Sequence, residues 1–265
     1  MIPKIIHFCW FGGSTKNKMI EKCINSWKKY CPDYEIIEWN ESNYDTSKQA
    51  FVKRAYDEKK WAFVSDYARI DILYKYGGIY LDTDVELLSC LDSFLEYDFY
   101  AGFESNAFVN FGIGFGSIKD HFVLRDILDF YKNIEFPNND FDLSMLSCPR
   151  IQTDALKKYG LICNNKNQVF NNCYIFNSEY FCPMSFKTGK IQITDKTVSI
   201  HHFDMSWNPN SFKSMKYLEW RIIEIWGEKW GKIISSLVSF PSKIIMHKEE
   251  GTLAKYILFL LKRKS

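Results

Sequence analysis

The segment SDYARIDILYKYGGIYLDTDVE, residues 65–86, decides the fold because its pattern is that of a helix, a stop and a strand ending in carboxylates. Ser65 is predicted to cap a helix whose apolar residues recur at helical spacing up to the pair Gly77-Gly78. The residues IYLD that follow are predicted to form a buried strand. Asp82 and Asp84 then fall at the carboxyl end of this strand, where ligands bind in open α/β sheets.

The residues before this segment predict the start of a parallel sheet. Residues 4–11 form an apolar run closed by two glycines, as in a buried strand, and residues 34–39 predict a second strand. Between them, residues 19–30 carry apolar side chains at helical spacing. Strand, helix and strand in this order are typical of a parallel α/β sheet.

The rest of the chain continues the alternation of helices and strands. Further helices are predicted at 47–60, 121–132 and 149–158, and further strands at 97–102 and 108–116. Residues 161–200 predict loops and short strands. We therefore expect an α/β fold with a mixed, mainly parallel sheet flanked by helices. Its main domain is expected at 1–210, with a basic helical C-terminal extension at 211–265.

Charge and composition exclude several classes of protein. The chain carries a net charge of +2, with +6 in residues 212–265 and −4 in residues 1–211. Because the main domain is acidic and holds no basic stripe, we expect no binding to nucleic acid. Hydrophobic residues make up 46% of the chain and predict a packed core, which most of the aromatic residues are expected to fill.

Cysteine spacing and hydrophobicity predict an intracellular protein. The eight cysteines are scattered without CxxC pairs, so we expect reduced thiols and no disulfide framework. We expect no signal peptide before Pro3, and no apolar run approaches the roughly 18 residues that a membrane span needs. We expect a cytoplasmic protein, either free or peripheral at the inner face of the plasma membrane.

The spacing of Asp82 and Asp84 suits a site for a divalent metal ion that neutralises a diphosphate. Side chains two apart in a strand face the same way, so both carboxylates can reach one ligand. A calcium loop of the EF-hand type is disfavoured, because the apolar residues VELLSCL at 85–91 supply none of the further oxygen ligands that such a loop needs. A phosphatase of the DxD type usually carries this motif on its first strand, whereas here the motif follows the third predicted strand.

Five further residues are candidates for the same site. Asp66 and Arg69 share a helix face, either as an ordinary ion pair or as contacts to a sugar and a diphosphate, and the nearby DxD favours the second reading. His201 or His202 would complete a metal shell; neighbouring strand residues face opposite ways, and His201 is preferred. Trp10, after the first strand, fits either the core or stacking on a nucleotide base.

Three motifs occur in a fixed order: IPKIIHFCWFGG at residues 2–13, SDYARIDILYKYGGIYLDTDVE at 65–86 and IHHFDMSW at 200–207. Together they resemble glycosyltransferase family 32, the DXD sugar-binding-region family, over about residues 1–210. The DxD block is also similar to that of the large clostridial glucosylating toxins. The order of the three motifs is far more specific than a DxD alone.

The resemblance implies a hexosyltransferase with a GT-A catalytic domain at 1–210, a manganese or magnesium ion, a nucleotide-sugar donor with UDP-sugars favoured, and retention of anomeric configuration. The catalytic residues that it implies are Asp66, Arg69, Asp82 and Asp84, and the metal ligands are Asp82, Asp84 and His201. The implied donor-binding residues are Trp10, Asp66, Arg69, Tyr80, Asp82, Asn110, Ser206 and Trp207. Pro149 and Thr153 fall in the acceptor-side segment. Asp204-Met205 replaces the usual small residues before Ser206, which weakens that last assignment.

The resemblance also implies an acceptor, namely a glycan or a lipid-linked oligosaccharide in capsular or other cell-surface polysaccharide synthesis. Residues 244–264 mix apolar runs with basic residues. They fit either a helix on an anionic membrane, where a lipid-linked acceptor would lie, or a helix packed on the domain or a partner subunit. Two rival functions stay open: a sugar-nucleotide-binding protein of the same fold without turnover, and a metal-dependent DxD phosphatase.

Overall fold

The computed structural model describes residues 1–137, 146–205 and 210–249, with side chains in the last segment described for 211–237. The strands are β1 (Ile5–Cys9), β2 (Glu35–Trp39), β3 (Gly78–Tyr80), β4 (Val85–Leu87), β5 (Phe99–Phe103), β6 (Val109–Asn110), β7 (Phe115–Ser117), β8 (Gln168–Phe170), β9 (Cys173–Phe176) and β10 (Ser199–His201). The helices are α1 (Lys18–Tyr30), α2 (Ala50–Asp57), α3 (Trp61–Tyr76), α4 (Phe122–Lys132), α5 (Cys148–Lys157), α6 (Ser178–Phe181) and α7 (Asn210–Glu249).

Eight of the described strands form one sheet, in the order β2-β1-β3-β7-β5-β9-β8 with β6 paired to β5. Strands β1, β2 and β3 are parallel, β7 is antiparallel to both β3 and β5, and β9 is parallel to β5. Five of these eight strands, β1, β2, β3, β5 and β9, thus run in one direction. Helices α3 and α5 contact strands of the sheet, and α4 packs against both of these helices. The predicted class, a mixed and mainly parallel sheet flanked by helices, is confirmed.

The first strand, helix and strand form as the hydrophobic pattern predicts. Asn17 caps α1, because its side chain accepts hydrogen bonds from the backbone N–H groups of Met19 and Ile20 at 2.9 and 3.0 Å. The helix buries Ile20 and Trp27. Since β1, β2 and β3 are parallel, their carboxyl ends meet at one edge of the sheet. This edge carries the turn that follows β3.

Helix α3 begins earlier than the sequence predicts. It starts at Trp61 and not at Ser65, since Lys59, with a φ of 57°, makes the turn that separates it from α2. Its first turn closes on the carbonyl of residue 60. Asp66 and Arg69 therefore lie in its second and third turns, too far from the amino end for the helix dipole to act strongly on a ligand there.

Residues 108–116 were predicted to form one strand, but they form two short strands. A 3-10 turn at Phe111–Ile113 separates β6 from β7, and Gly114 has a φ of 130°, which other residues rarely adopt. The glycines that the sequence shows here therefore form a turn, and this turn lies against the carboxylates after β3.

Aromatic side chains fill much of the core, as expected from the composition. Phe99, Phe103, Phe111 and Phe115 are fully buried, and the ring centroids of Phe111 and Phe115 lie 4.6 Å apart. Rings of this size bury much apolar area per residue, which makes the sheet between β5 and β7 a rigid support for the turn after β6.

The chain divides into two compact units. The larger contains Met1–Met184 and the described residues of Ile191–Trp207, and the smaller contains Ser185–Lys190 and helix α7. Within α7, Gly227 has non-helical angles, φ 75° and ψ 168°. No helix in the described segments is long and apolar enough to cross a membrane. The functional division near residue 210 stays a prediction, and residues 250–264 of the predicted membrane segment lie outside the described residues.

Candidate active site

Asp82 and Asp84 lie in a turn between β3 and β4. Strand β3 ends at Tyr80, and the backbone N–H of Val85 donates to the carbonyl of Asp82 at 3.0 Å across the turn. The N–H of Leu81 donates to a β1 carbonyl at 3.1 Å, which fixes the entry to the turn. The carboxylates are thus brought together by a turn, and not by the alternation of an extended strand, as we predicted.

A second sheet, of two strands, brings His201 to the same place. Strand β4 pairs antiparallel with β10, with His201 opposite Val85. His201 Nε2 lies 3.3 Å from Asp84 Oδ1. One ligand atom from each of Asp82, Asp84 and His201 lies within 4.8 Å of the others. The fold therefore assembles the three residues that were predicted as metal ligands.

Asp84 and His201 form an ion pair at neutral pH. Burial by itself would raise the pKa of Asp84, but His201 and the backbone N–H of Asp204, which donates to Oδ2 at 2.8 Å, lower it to about 2. Burial would lower the pKa of His201, whereas the Asp84 carboxylate raises it well above its usual value. His201 has to release its proton to become a ligand, so a metal ion competes with that proton.

The Arg69 guanidinium links helix α3 to the acidic turn. Its Nη2 lies 3.1 Å from Asp66 Oδ1 and 2.8 Å from Asp82 Oδ1. The ring of Tyr80 lies against the guanidinium, with its centroid 4.9 Å from Cζ. Arg69 is 3% exposed and Tyr80 is 1% exposed, so Tyr80, predicted at the donor, contacts the site through Arg69. These contacts fix the orientation of a permanently charged group.

Asp66 has the perturbed pKa that is common at functional sites. Burial raises the pKa of Asp66 to about 6, although the adjacent Arg69 opposes the shift. The thiol of Cys148, at the start of α5, donates a hydrogen bond to Asp66, and its Sγ lies 3.7 Å from Arg69 Nη1. No role for Cys148 could be predicted from the sequence, because only the fold brings α5 to α3.

Gly112 leaves the space that the Asp82 carboxylate occupies. The backbone N–H of Asp82 donates to the Gly112 carbonyl at 2.9 Å. A Cβ at Gly112 would lie 2.9 Å from both Asp82 Cγ and Arg69 Nη1, and closer still to Asp82 Oδ2. Asn110, predicted at the sugar, accepts from the Gly112 N–H at 2.7 Å and donates to Glu104 at 2.5 Å. It is buried and shapes the turn that carries Gly112.

Two side chains of α5 hold this turn from the other side. Gln152 Oε1 accepts from the N–H of Phe111 at 2.8 Å, and Thr153 Oγ1 accepts from the N–H of Val109 at 2.9 Å. Both side chains are buried. Thr153, which the resemblance assigned to the acceptor side, therefore supports the backbone of the site, while Pro149 is half-buried at the start of the helix.

His202 is engaged on the other side of the small sheet. Its Nε2 lies 2.8 Å from Glu86 Oε2, which also accepts from Lys22 Nζ at 2.6 Å. The N–H of His202 donates to the Asp84 carbonyl at 3.0 Å. This arrangement agrees with the preference for His201 as the residue that faces Asp84. The alternation of side chains on paired strands was the signal from which the role of Glu86 could have been predicted.

Trp10 lies after β1, at the sheet edge that also carries the acidic turn. It is half-buried, its Nε1 donates to the Ser14 carbonyl at 2.7 Å, and Lys16 Nζ lies 5.4 Å from the ring centroid. Its predicted contact with a nucleotide base stays a prediction. Ser206 and Trp207, predicted at the diphosphate, lie outside the described residues.

The charges and donor types of the site fit a divalent metal ion. With His201 neutral, the three carboxylates and the guanidinium leave a net charge of −2, which one such ion balances. Carboxylates suit Mg²⁺ and Mn²⁺, and an imidazole is a ligand of transition metals. His201 Nδ1 is buried without an oxygen or nitrogen partner in the described segments, and the Cys182 thiol lies beside the ring.

Comparison with known proteins gives consistent matches. Residues 17–100 match the family described as "Glycosyltransferase sugar-binding region containing DXD motif". The chain is 32% identical to inositol phosphoceramide mannosyltransferase 3 of Schizosaccharomyces pombe over an alignment of 148 residues. This alignment covers 51% of this chain and 40% of that protein. It is 28% identical to an uncharacterized glycosyltransferase of Acanthamoeba polyphaga mimivirus over an alignment of 227 residues. That alignment covers 79% of this chain and 85% of the viral protein.

Among solved structures, the PaToxG glycosyltransferase aligns with a TM-score of 0.46 at 18% identity, over 59% of this chain and 69% of that chain. The chain spans less than half the length of the Schizosaccharomyces pombe protein. The family match confirms the resemblance to the DXD sugar-binding-region family that the sequence predicts.

Proposed function

We propose that this chain, which carries the DXD-containing sugar-binding region of a glycosyltransferase family at residues 17–100, transfers a sugar from a nucleotide-sugar to an acceptor hydroxyl. The observation that carries the proposal is the convergence of Asp82, Asp84 and His201, with one ligand atom of each within 4.8 Å of the others. Arg69, 2.8 Å from Asp82, adds a fixed positive charge beside them. The cluster offers a site for a divalent metal ion and a diphosphate.

Asp82, Asp84 and His201 are the residues that would hold Mn²⁺ or Mg²⁺. Such an ion, when bound, acts as a Lewis acid for the negative charge of a nucleoside diphosphate leaving group. The backbone N–H of Asp204 donates a hydrogen bond to Asp84 Oδ2, and Asp84 Oδ1 then faces His201. This orientation of the ligands is supplied by the chain before any ion binds.

Arg69 and Asp66 would act on the donor directly. The two carboxylate contacts of Arg69 both use Nη2, and Nη1 donates to Cys148 Sγ at 3.7 Å, so the second N–H of Nη1 is left for a phosphate oxygen or a sugar hydroxyl. A guanidinium fixed in this way stabilises charge that develops on the leaving diphosphate. Asp66, ionised above a pKa of about 6, would accept hydrogen bonds from sugar hydroxyls. Retention of anomeric configuration is part of the proposal, with no nucleophile assigned.

The donor and acceptor classes follow from the resemblance. UDP-sugars are the favoured donors, and GDP-mannose belongs in any panel because one relative is named a mannosyltransferase. The acceptor is proposed to be a glycan or a lipid-linked oligosaccharide in capsular or other cell-surface polysaccharide synthesis. The corresponding location is cytoplasmic, with peripheral contact at the inner face of the plasma membrane.

The test measures release of nucleoside diphosphate from a panel of nucleotide-sugars with Mn²⁺, with Mg²⁺ or with a chelator. We expect release that requires the metal ion and is abolished by Asp84→Asn, because the amide loses the anionic ligand. Asp195→Asn, on an exposed loop, is the matched control and should keep full activity. Wild-type turnover by folded Asp84→Asn would refute the metal assignment.

The same assay separates the two rival functions. Release of phosphate from simple phosphomonoesters, without release of nucleoside diphosphate, would indicate a phosphatase. Thermal stabilisation by a nucleotide-sugar with Mn²⁺, but without turnover of any donor, would indicate a binding protein of the same fold.

A further inference from the structure

Helix α7 folds back on itself at Gly227. The non-helical angles of Gly227 divide the helix into two arms, and Gly231 of the second arm lies against Ile223 of the first. A Cβ at Gly231 would lie 2.5 Å from Ile223 Cα, so only glycine permits this approach. Ile223 and Gly231 are both buried at this contact between the arms.

The large apolar residues near this turn point to solvent. The apolar ridge, as we call it, consists of Ile225, Trp226, Trp230, Ile233 and Leu237. Trp226 is 60% exposed and Trp230 is 61% exposed. Trp230, Ile233 and Leu237 are three and four residues apart and so share one face of the second arm. An exposed apolar patch of this kind marks an interaction surface.

The ridge belongs to a unit with an excess of positive charge. The described side chains of the smaller unit, 185–190 and 211–237, include seven Lys or Arg and three Glu. Two of the lysines are paired, Lys216 with Glu219 and Lys232 with Glu228. Four cations have no carboxylate within 4 Å in the described segments, namely Lys187, Lys190, Arg221 and Lys229. The unit therefore offers positive charge to a partner.

We propose that the apolar ridge docks on the surface of an anionic lipid bilayer. Indole rings favour the boundary between headgroups and acyl chains, where their apolar body is buried and their N–H stays near water. Lysine and arginine next to the ridge are attracted to anionic headgroups. A second copy of the chain fits less well, because it would bring the same excess of positive charge against this surface. The surface is distinct from the acidic site and does not depend on the function proposed for it.

The experiment measures flotation of the full-length protein with vesicles. One set contains phosphatidylcholine alone, and the other contains phosphatidylcholine with about one third phosphatidylglycerol. The variant W226S/W230S removes the two indoles, and both positions are exposed, so the fold should tolerate it. The matched control V169S/I193S removes two apolar side chains that are equally exposed on the larger unit. Thermal unfolding checks that both variants fold.

Wild type and V169S/I193S should bind the anionic vesicles, more weakly at high salt, and leave the neutral ones unbound. The affinity of W226S/W230S should be at least about tenfold lower, since burying one large apolar side chain is by itself worth about that factor. Equal flotation of W226S/W230S and wild type would overturn the proposal, as would failure of the wild type to bind. A concentration-dependent dimer that W226S/W230S abolishes, without vesicle binding, would assign the ridge to self-association instead.

Discussion

Replacing Gly112 with alanine should inactivate the candidate site while leaving the fold in place. The new Cβ would lie 2.9 Å from Asp82 Cγ and Arg69 Nη1, where an ordinary contact begins at 3.4 Å. Gly112 cannot retreat, because its carbonyl accepts the N–H of Asp82 at 2.9 Å and its own N–H is bound by Asn110. The side chain of Asp82 therefore has to give way.

The displacement sets the size of the effect. Asp82 Oδ2, the oxygen nearest the new methyl group, has to move by more than about 1 Å, and this movement of the carboxylate disturbs the 2.8 Å contact between its Oδ1 and Arg69. A misplacement of about 1 Å at a reacting site can cost about 100-fold in rate. We expect kcat/KM for donor hydrolysis to fall about 100-fold, and Mn²⁺ to stabilise the variant less than the wild type.

Donor hydrolysis and thermal unfolding with and without Mn²⁺ check this prediction. Gly160→Ala is the control, since it introduces a methyl group at a positive φ of 112° but its nearest neighbour is 3.9 Å away and outside the site. It should lower stability somewhat and keep the activity of each folded molecule. If Gly112→Ala kept wild-type activity and metal response, neither metal binding nor donor hydrolysis would depend on the observed position of the Asp82 carboxylate.

Three further predictions test the site and its support. His201→Ala should abolish stabilisation by Mn²⁺, whereas His202→Ala, which loses only a supporting contact, should weaken Mn²⁺ affinity about tenfold. Calorimetry measures the Mn²⁺ affinity of both variants. A larger loss of affinity in His202→Ala than in His201→Ala would contradict the assignment of His201 as the ligand. Arg69→Lys should lower kcat/KM for donor hydrolysis about 100-fold or more, because an ammonium cannot reproduce the forked contacts, and near wild-type kinetics would contradict a role on the diphosphate. His7, which is buried and accepts from Trp39 Nε1 at 3.0 Å, has its pKa lowered to about 4 by burial. Its folded pKa is below the unfolded value of 6.5, so the stability that it contributes is present above pH 6.5 and is lost as the pH falls toward 4. Between pH 6.5 and 4, the free energy of unfolding of His7→Gln should fall by up to ~3 kcal/mol less than that of the wild type, as measured by denaturant titration at each pH. If the free energies of unfolding of the two proteins fell in parallel, the lowered pKa of His7 would be refuted.

The periodicity of the sequence predicted most of the elements, because local spacing determines them. The strand, helix and strand that begin the chain and the helices α4 and α5 lie within a few residues of their predicted bounds. The start of α3 was wrong because Ser65 has the chemistry of a cap but the positive φ of Lys59 ends α2 just before Trp61. The break at Phe111–Ile113 was missed because the side chains of Gln152 and Thr153, which hold the backbone there, come from a distant segment of the chain.

The site divides in the same way between local and distant signals. Asp66 and Arg69 are close in sequence, and their spacing predicted a shared helix face. The proximity of Asp82 and Asp84 was also predicted, although a turn and not the alternation of a strand produces it. Gly112, Gln152 and Thr153 contribute through contacts between segments far apart in the chain, for which a single sequence carries no signal. Cys148 and Cys182 were read only as reduced thiols, although both lie beside charged site residues.

The most direct test of the site is a measurement of Mn²⁺ binding by loss of the free-ion electron paramagnetic resonance signal. Wild type and Asp84→Asn are compared with and without uridine diphosphate. We predict that each wild-type chain binds one Mn²⁺, more tightly with the nucleotide, and that Asp84→Asn binds almost none. Equal binding by the two proteins would show that the carboxylates after β3 do not hold the ion.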